Sequence, residues 1–379
     1  AIVQNDDISA GLNATYTADN GTAGGDAPAG GIGGAGGNGG SVTINDTVTG
    51  TIGGAIEITA TGGDGAVGGI AKTDYTYDGP HGDSGAGGDS KVAVAVTGSG
   101  ITTVNDITVT AKAGSGSTVD VYTINQSEGA NGDKGGSAAA IGLQAAGRNT
   151  LVTITAADVT ISAEGGNGGF GVSSYSNGGV GGMGGAAEAY GLKAATNSLD
   201  LAINDIQVTA SGGKGGKGGN GGDNGNIGDG NAAGVGGKAA VWGIEAVNSD
   251  IGGIVNSISA VAVGGAGERG GASSSDGQVG VSSAGGVGMA YAVSSDYSTV
   301  DLTVTTAITA AATGGAGGNG VYGAGADSRK GVGAAGGAGS DGGAAVAYDL
   351  HLTAAGNVSV MADSLVSCLL YTSDAADDR

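Results

Sequence analysis

Asp106, Asp158 and Asp205 recur at one position of a repeat, and such a row of carboxylates could do chemistry. Stacked at about 5 Å, carboxylates repel unless water or a hard, oxygen-seeking cation lies between them. The column is thus a calcium candidate, beside the plainer reading of solvated turn residues. A second column is aromatic: Tyr190, Trp242, Tyr291 and Tyr348. Such rings either fill shape along one sheet or offer a flat platform to sugar rings, and both readings stay open. Other constellations are broken. His81 and His351 lie far apart in the array. Gly237-Lys238 is followed by Ala239, where a phosphate-binding loop needs Ser or Thr. Gly-x-Gly-x-x-Gly matches lack the strand, helix and distal acid that give the motif meaning. Gly336–Asp341 matches part of a calcium-binding Gly-Gly-x-Gly-x-Asp repeat, but Gly343 stands where a large apolar residue is required. The loop acids Asp78, Asp83, Asp223, Asp229, Asp276 and Asp327 read as solvated charges. A polysaccharide lyase or hydrolase needs an acidic cluster with Arg or Lys in one odd rung, and no rung carries one. The residues predict no catalysis and no cofactor, with calcium as the candidate ion.

The elements that would position these residues show as repeats. A pattern Ile-x-Val-x-Ala, usually followed by Gly-Gly, begins at Ile56, Ile107, Val159, Ile206, Ile258, Ile308 and Val358, at spacings of 47 to 52 residues. The third position holds Ile58, Val109, Ile161, Val208, Ala260, Ala310 and Val360, and the fifth is Ala in every copy. Mostly polar residues fall between, so the pattern is that of a half-buried strand. Residues 8–20 could be a worn eighth copy whose register cannot be read. Upstream lies a second strand, Ala-Ala-Glu-Ala-Tyr-Gly-Leu at 186–192 and Lys-Ala-Ala-Val-Trp-Gly-Ile at 238–244. One of its columns runs Val94, Ile141, Tyr190, Trp242, Tyr291, Tyr348; the next runs Val96, Leu143, Leu192, Ile244, Val293, Leu350. A third, less regular strand sits between, as at 151–155, 199–203 and 300–304. Asn or Asp marks the corner before the Ile strand, at Asn105-Asp106, Asp158, Asn204-Asp205 and Asn256. Three short strands per rung, with rungs stacked at roughly 4.8 Å, predict an all-β parallel solenoid with repeats of about 50 residues. The usual crossover preference makes it right-handed.

The other half of each repeat is glycine. Gly212–Gly222 reads Gly-Gly-Lys-Gly-Gly-Lys-Gly-Gly-Asn-Gly-Gly, and 178–185 reads Gly-Gly-Val-Gly-Gly-Met-Gly-Gly. A helix with three residues per turn puts every third residue on one edge, so Gly-Gly-X leaves two bare edges where another backbone can come close. The inserts are expected to be hairpins of polyglycine-type extended helices, stacked beside the solenoid as a wing. The rival is unordered loops, since glycine loses the most entropy on ordering. The preserved Gly-Gly-X phase favours the wing.

Composition excludes whole classes. With 89 Gly, 2 Pro and 3% aromatics, the chain cannot build an ordinary core rich in Phe and Leu. A net charge of −22, from 35 acids against 13 bases, argues against duplex nucleic acid and anionic membrane as partners. No apolar run approaches the roughly 18 residues that span a bilayer, so no membrane insertion by this segment is expected. The chain does not begin with Met and shows no signal peptide, which reads as a cut. Thr-rich outward positions such as Thr108 and Thr110 raise ice binding, although Glu57, Gln207, Val261, Ala311 and Met361 interrupt the hydroxyl rows.

The Ile-x-Val-x-Ala rungs, Asn-Asp corners, Thr-rich faces and acidity resemble the passenger regions of Gram-negative autotransporters and filamentous-haemagglutinin-like adhesins, over about residues 1–365. The Gly-Gly-X tracts also resemble glycine-rich surface proteins of mycobacteria and a glycine-rich insect-like antifreeze. The first resemblance implies a secreted, surface-displayed, non-catalytic adhesin on the bacterial cell surface. Its partners would be a host-cell or abiotic surface, with glycans among the ligands, and it would self-associate through solenoid ends or the wing. Alternatives are an ice-binding or calcium-stabilised extracellular solenoid and, behind them, a polysaccharide-active β-helix enzyme. Residues Cys368–Asp378 resemble the in-frame translation of a sequencing adapter. That resemblance implies a metagenomic fragment, with 1–365 as a single repeat array, 366–379 as an artefactual tail and Cys368 as a non-native cysteine.

Overall fold

The structure is a computed structural model. It describes residues 2–4, 7–8, 12–26, 34–48, 54–68, 83–97, 100–117, 129–146, 151–174, 177–221, 229–273, 278–321, 338–353 and 358–370. Among the described residues the elements are all strands. They are β1 (Ile2–Gln4), β2 (Asp7–Ile8), β3 (Leu12–Thr17), β4 (Val42–Val48), β5 (Ile56–Thr61), β6 (Ser90–Thr97), β7 (Gly100–Lys112), β8 (Ala138–Ala146) and β9 (Leu151–Glu164). There follow β10 (Ala187–Ala195), β11 (Ser198–Ser211), β12 (Ala239–Val247), β13 (Asp250–Val263), β14 (Gly288–Asp296), β15 (Thr299–Thr313), β16 (Ala345–Thr353) and β17 (Val358–Leu370).

These strands form two parallel sheets. The first has nine strands, in the order β1-β4-β6-β8-β10-β12-β14-β16 with β2 also on β4; the second has eight, in the order β17-β15-β13-β11-β9-β7-β5-β3. Strand neighbours are always one repeat apart, which is the topology of a parallel β-solenoid. Alternation explains the core: Ile206, Val208 and Ala210 are buried while Gln207, Thr209 and Ser211 face outward. In the opposing strand Ala187, Ala189, Leu192 and Ala194 are buried. The sheets meet so closely that a Cβ at Gly142 would lie 2.4 Å from Ile161 Cδ1, and one at Gly243 2.7 Å from Ile258 Cγ2. This is why Gly recurs after Tyr190 and Trp242.

Three details differ from the sequence reading. From β7 onward the irregular strand and the Ile strand of a rung are one continuous strand of 13 to 15 residues. In β11 the inward phase shifts from Leu199, Leu201 and Ile203 to Ile206, Val208 and Ala210, so Asn204 and Asp205 make a corner inside an unbroken ladder. The seventh Ile copy is displaced: Val358 pairs with Val300, and Leu365, Ser367 and Leu369 stand opposite Ile308, Ala310 and Ala312. Met361 accordingly pairs with Thr303, and Cys368 stands opposite Ala311. In the first-sheet column Ala93, not Val94, pairs with Ile141, because β6 lacks the extra residue that β8 carries at Gly142. The eighth copy does exist, as Leu12, Ala14 and Tyr16 opposite Ile56, Ile58 and Ala60. β17 runs through Leu370 as an edge strand.

The glycine tracts are ordered layers. Outgoing limbs prolong the second sheet and returning limbs prolong the first. Bonding repeats every third residue. In the outgoing limb, Gly212, Gly215 and Gly218 donate to Val263, Ala266 and Arg269 of the next outgoing limb. Gly213, Gly216 and Gly219 donate across the layers to Gly185, Gly182 and Gly179. The third residue of each triplet, such as Lys214 or Lys217, is exposed. A period of three belongs to the polyproline II-type helix. In the Gly215-Gly216 pair both positions are closed to a side chain: a Cβ on Gly215 would lie 1.7 Å from Gly234 O, and one on Gly216 1.9 Å from Gly169 O.

A candidate binding face and the carboxylate corner

The outward side chains of the first sheet and of the returning limbs lie on one continuous surface. On β10, Glu188, Tyr190 and Lys193 point away from the core, because Ala187, Ala189 and Ala194 take the inward positions. The parallel ladder then places Tyr190 beside Trp242, Trp242 beside Tyr291 and Tyr291 beside Tyr348. Tyr190 and Trp242 stack with centroids 4.4 Å apart and planes within 3°; the next two pairs are each at 5.7 Å, within 12° and 14°. The ladder is half-buried rather than core, and Tyr348 at its end is 46% exposed. Each stacked pair contributes about 0.5–1.5 kcal/mol beyond area burial.

A polar row borders the rings. Lys193 Nζ lies 4.1 Å from the Tyr190 ring centroid and 2.7 Å from Glu245 Oε2 on the next rung. His351 meets Tyr291 edge-on at 5.2 Å. Burial pushes the Tyr190 hydroxyl above the usual phenol range, and the Glu188 and Glu245 carboxylates push it further. Tyr190 is therefore a neutral hydrogen-bonding group at any physiological pH.

On the returning limbs the third residues continue this surface as a grid. Met183, Val235 and Ala284 follow one another in one column, and Val180, Ala232 and Val281 in the next. Met183 is 57% and Val281 72% exposed. Neighbours along a limb are about 9 Å apart, three residues at about 3.1 Å each. Neighbours on adjacent limbs are one rung apart. The period-two pattern of the strands gave no access to this grid; the signal was the apolar X of the returning Gly-Gly-X tracts.

The carboxylate column is present in register: Asp106 pairs with Asp158, and Asp158 with Asp205. Its oxygens are met by amides. Asn204 Nδ2 donates to Asp158 Oδ1 at 2.9 Å, and Asn256 Nδ2 to Asp205 Oδ1 at 3.0 Å. Ser257 Oγ adds a 2.5 Å bond to the same Asp205 oxygen. Among the described residues no group of three His, Cys, Asp or Glu side chains could hold a metal ion. The acids of the loops divide. Asp229 is not simply solvated, for its Oδ1 accepts the Gln278 N–H at 2.6 Å. Asp83 is exposed. Asp78, Asp223, Asp276, Asp327 and His81 lie outside the described residues, as does part of Gly336–Asp341. No described helix is long and apolar enough to cross a membrane.

Fold and face define a two-layer molecule in which a parallel β-solenoid passes into a bundle of extended glycine helices. No protein-family model matches the chain. No curated protein matches it either. A solved structure that aligns with it is a springtail antifreeze protein from Granisotoma rainieri, described as a nine polyproline type II helical bundle whose crystal waters match the ice lattice. The alignment covers 63% of this chain and 99% of that one, at 20% identity and a TM-score of 0.21, too low to carry an argument.

Proposed function

We propose that this chain is a non-catalytic, surface-displayed binding segment of adhesin type, which lays the first-sheet face against an extended surface. The observation that supports this most is the four-ring ladder, open on the same face as the apolar grid. A flat row of rings suits the apolar faces of sugar rings, and Lys193, Glu245 and His351 border it with polar groups. The ligand class is therefore a cell-surface or insoluble polysaccharide, presented as a solid array. The acidic surface keeps such a segment soluble and self-repelling until it docks. A site outside the cell is the setting that its resemblance to autotransporter passengers would imply.

The test is binding of the chain to insoluble polysaccharides and fixed cells, compared with Trp242→Ala. The expected result is retention by at least one polysaccharide and a loss of roughly ten-fold or more in the variant, about 1.4 kcal/mol. Equal binding by both chains, with unchanged circular dichroism, contradicts it. A second reading, ice binding, draws on the exposed grid of Val180, Met183, Val235 and Val281. Inhibition of ice recrystallisation that survives Trp242→Ala and is lost in Val235→Lys would move the function to ice.

A further inference from the structure

The third residue of a Gly-Gly-X triplet turns its N–H away from the other layer, and the structure satisfies it in a particular way. Asn20-Gly21, Asn38-Gly39, Asn131-Gly132, Asn167-Gly168, Asn177-Gly178 and Asn220-Gly221 each grip one residue of the next limb at both backbone groups. Asn131 Oδ1 accepts the Val180 N–H at 2.9 Å, while the Gly132 N–H donates to Val180 O at 2.8 Å. Asn167-Gly168 does the same to Lys214, at 2.9 and 2.8 Å. Asn220-Gly221 grips Ala272 at 2.8 and 2.9 Å.

Asn-Gly is also the dipeptide best suited to cyclise, because glycine offers no side chain to hinder attack on the preceding amide. The Gly nitrogen, after losing its proton, attacks Asn Cγ; a C–N bond forms and ammonia leaves. Water then opens the resulting cyclic imide at one carbonyl or the other. The products are aspartate or isoaspartate, and the net change is water consumed and ammonia released. In the clamp both reacting groups are committed to a neighbour. The Gly N–H is held on a carbonyl, and the Asn oxygen is pointed at the same residue rather than presenting Cγ to the nitrogen.

We propose that these six Asn-Gly pairs are latent isomerisation sites, which the folded wing keeps closed and any opening of the wing exposes. The aspartate product can reseat: Asp64-Gly65 already makes the same clamp on Ser115, with both bonds at 2.8 Å. The isoaspartate product cannot. Its backbone runs through Cγ, so the chain is longer by one atom and the side-chain acceptor is displaced. An opened limb that isomerises is therefore permanently out of register, and the lifetime of the wing is set by how often it opens.

The experiment incubates the full chain at neutral pH, folded and in guanidinium, and maps deamidation at each Asn by peptide mass spectrometry. All six clamped pairs are expected to react roughly ten-fold or more slowly in the folded chain. Val180→Pro removes one clamped N–H from a limb conformation that accepts proline, and is expected to speed deamidation at Asn131 alone. Equal folded and unfolded rates at the six pairs, or an unchanged Asn131 rate in Val180→Pro, would each overturn the proposal.

Discussion

Glycine in the limbs is a requirement of contact, and its cost in chain entropy is offset only because neighbouring backbones close on it. Gly216 and Lys217 are adjacent, yet they should respond in opposite ways to the same substitution. Gly216→Ala places a methyl 1.9 Å from Gly169 O and should destabilise the wing by about 1–3 kcal/mol. Lys217→Ala only trims an exposed side chain and should stay within about 0.5 kcal/mol. Thermal melts of the two variants check the contrast; equal effects would mean that the limbs do not pack. Asp133 stands where the triplet expects its second glycine. Burial raises its pKa, Asp83 raises it further and Lys134 opposes them. The folded state then holds the proton more tightly than the unfolded state, so stability falls as pH rises from the ordinary carboxylate range through the raised value. Asp133→Asn should therefore melt higher than the parent at neutral pH, and lose that advantage on acidification. Identical melting temperatures at neutral pH would refute this. The Gly-Gly-X phase was legible in the sequence. The reason for Asn before Gly was not, because the clamp joins residues 44 to 52 positions apart.

At the scale of the element, strand alternation gave the right inward residues for the rungs between Ile56 and Ala312. It erred where the chain adds or drops a residue. Val94 and Val358 both sit in segments whose alternation is intact but displaced in the ladder, and alternation alone cannot detect displacement. The turns between the two sheets were also hidden. Thr196, Asn248 and Tyr297 take left-handed φ of 61°, 48° and 51°, and only the Asn carries a turn signal. A side-chain ladder beside them holds the turns: Ser249 Oγ accepts the Asn197 N–H and Ser298 Oγ the Ser249 N–H, at 3.2 and 2.9 Å. The Asn-Asp corner was legible as a corner, though not as one built on amide bonds. Since Asn204 and Asn256 already meet the carboxylates of Asp158 and Asp205, added calcium is expected to leave the melting temperature unmoved. A calcium-induced rise, abolished by Asp158→Ala, would restore the column as a cation site.

At the scale of the molecule, this segment is a slab. Eight rungs at about 4.8 Å stack to roughly 34 Å. A nine-residue strand such as β10 at about 3.3 Å per residue and a limb of similar length at about 3.1 Å reach roughly 58 Å across. Sheet and wing share the same two layers, so a broad flat face follows directly from continuing Gly-Gly-X in phase with the strands. Long-range contacts are between neighbours in the stack, and stability is a sum over rungs and their interfaces. The solenoid was readable because its period is written seven times; the union with the wing was not, because it depends on which layer each limb joins. The central claim is that the glycine limbs are as ordered as the strands they extend. Amide hydrogen exchange tests it most directly, by comparing glycines of 212–221 with strand residues Ser198–Ser211. The account predicts protection of the glycine amides within the range of the strand amides. Exchange of those glycines at the rate of a free chain, beside protected strands, would contradict it.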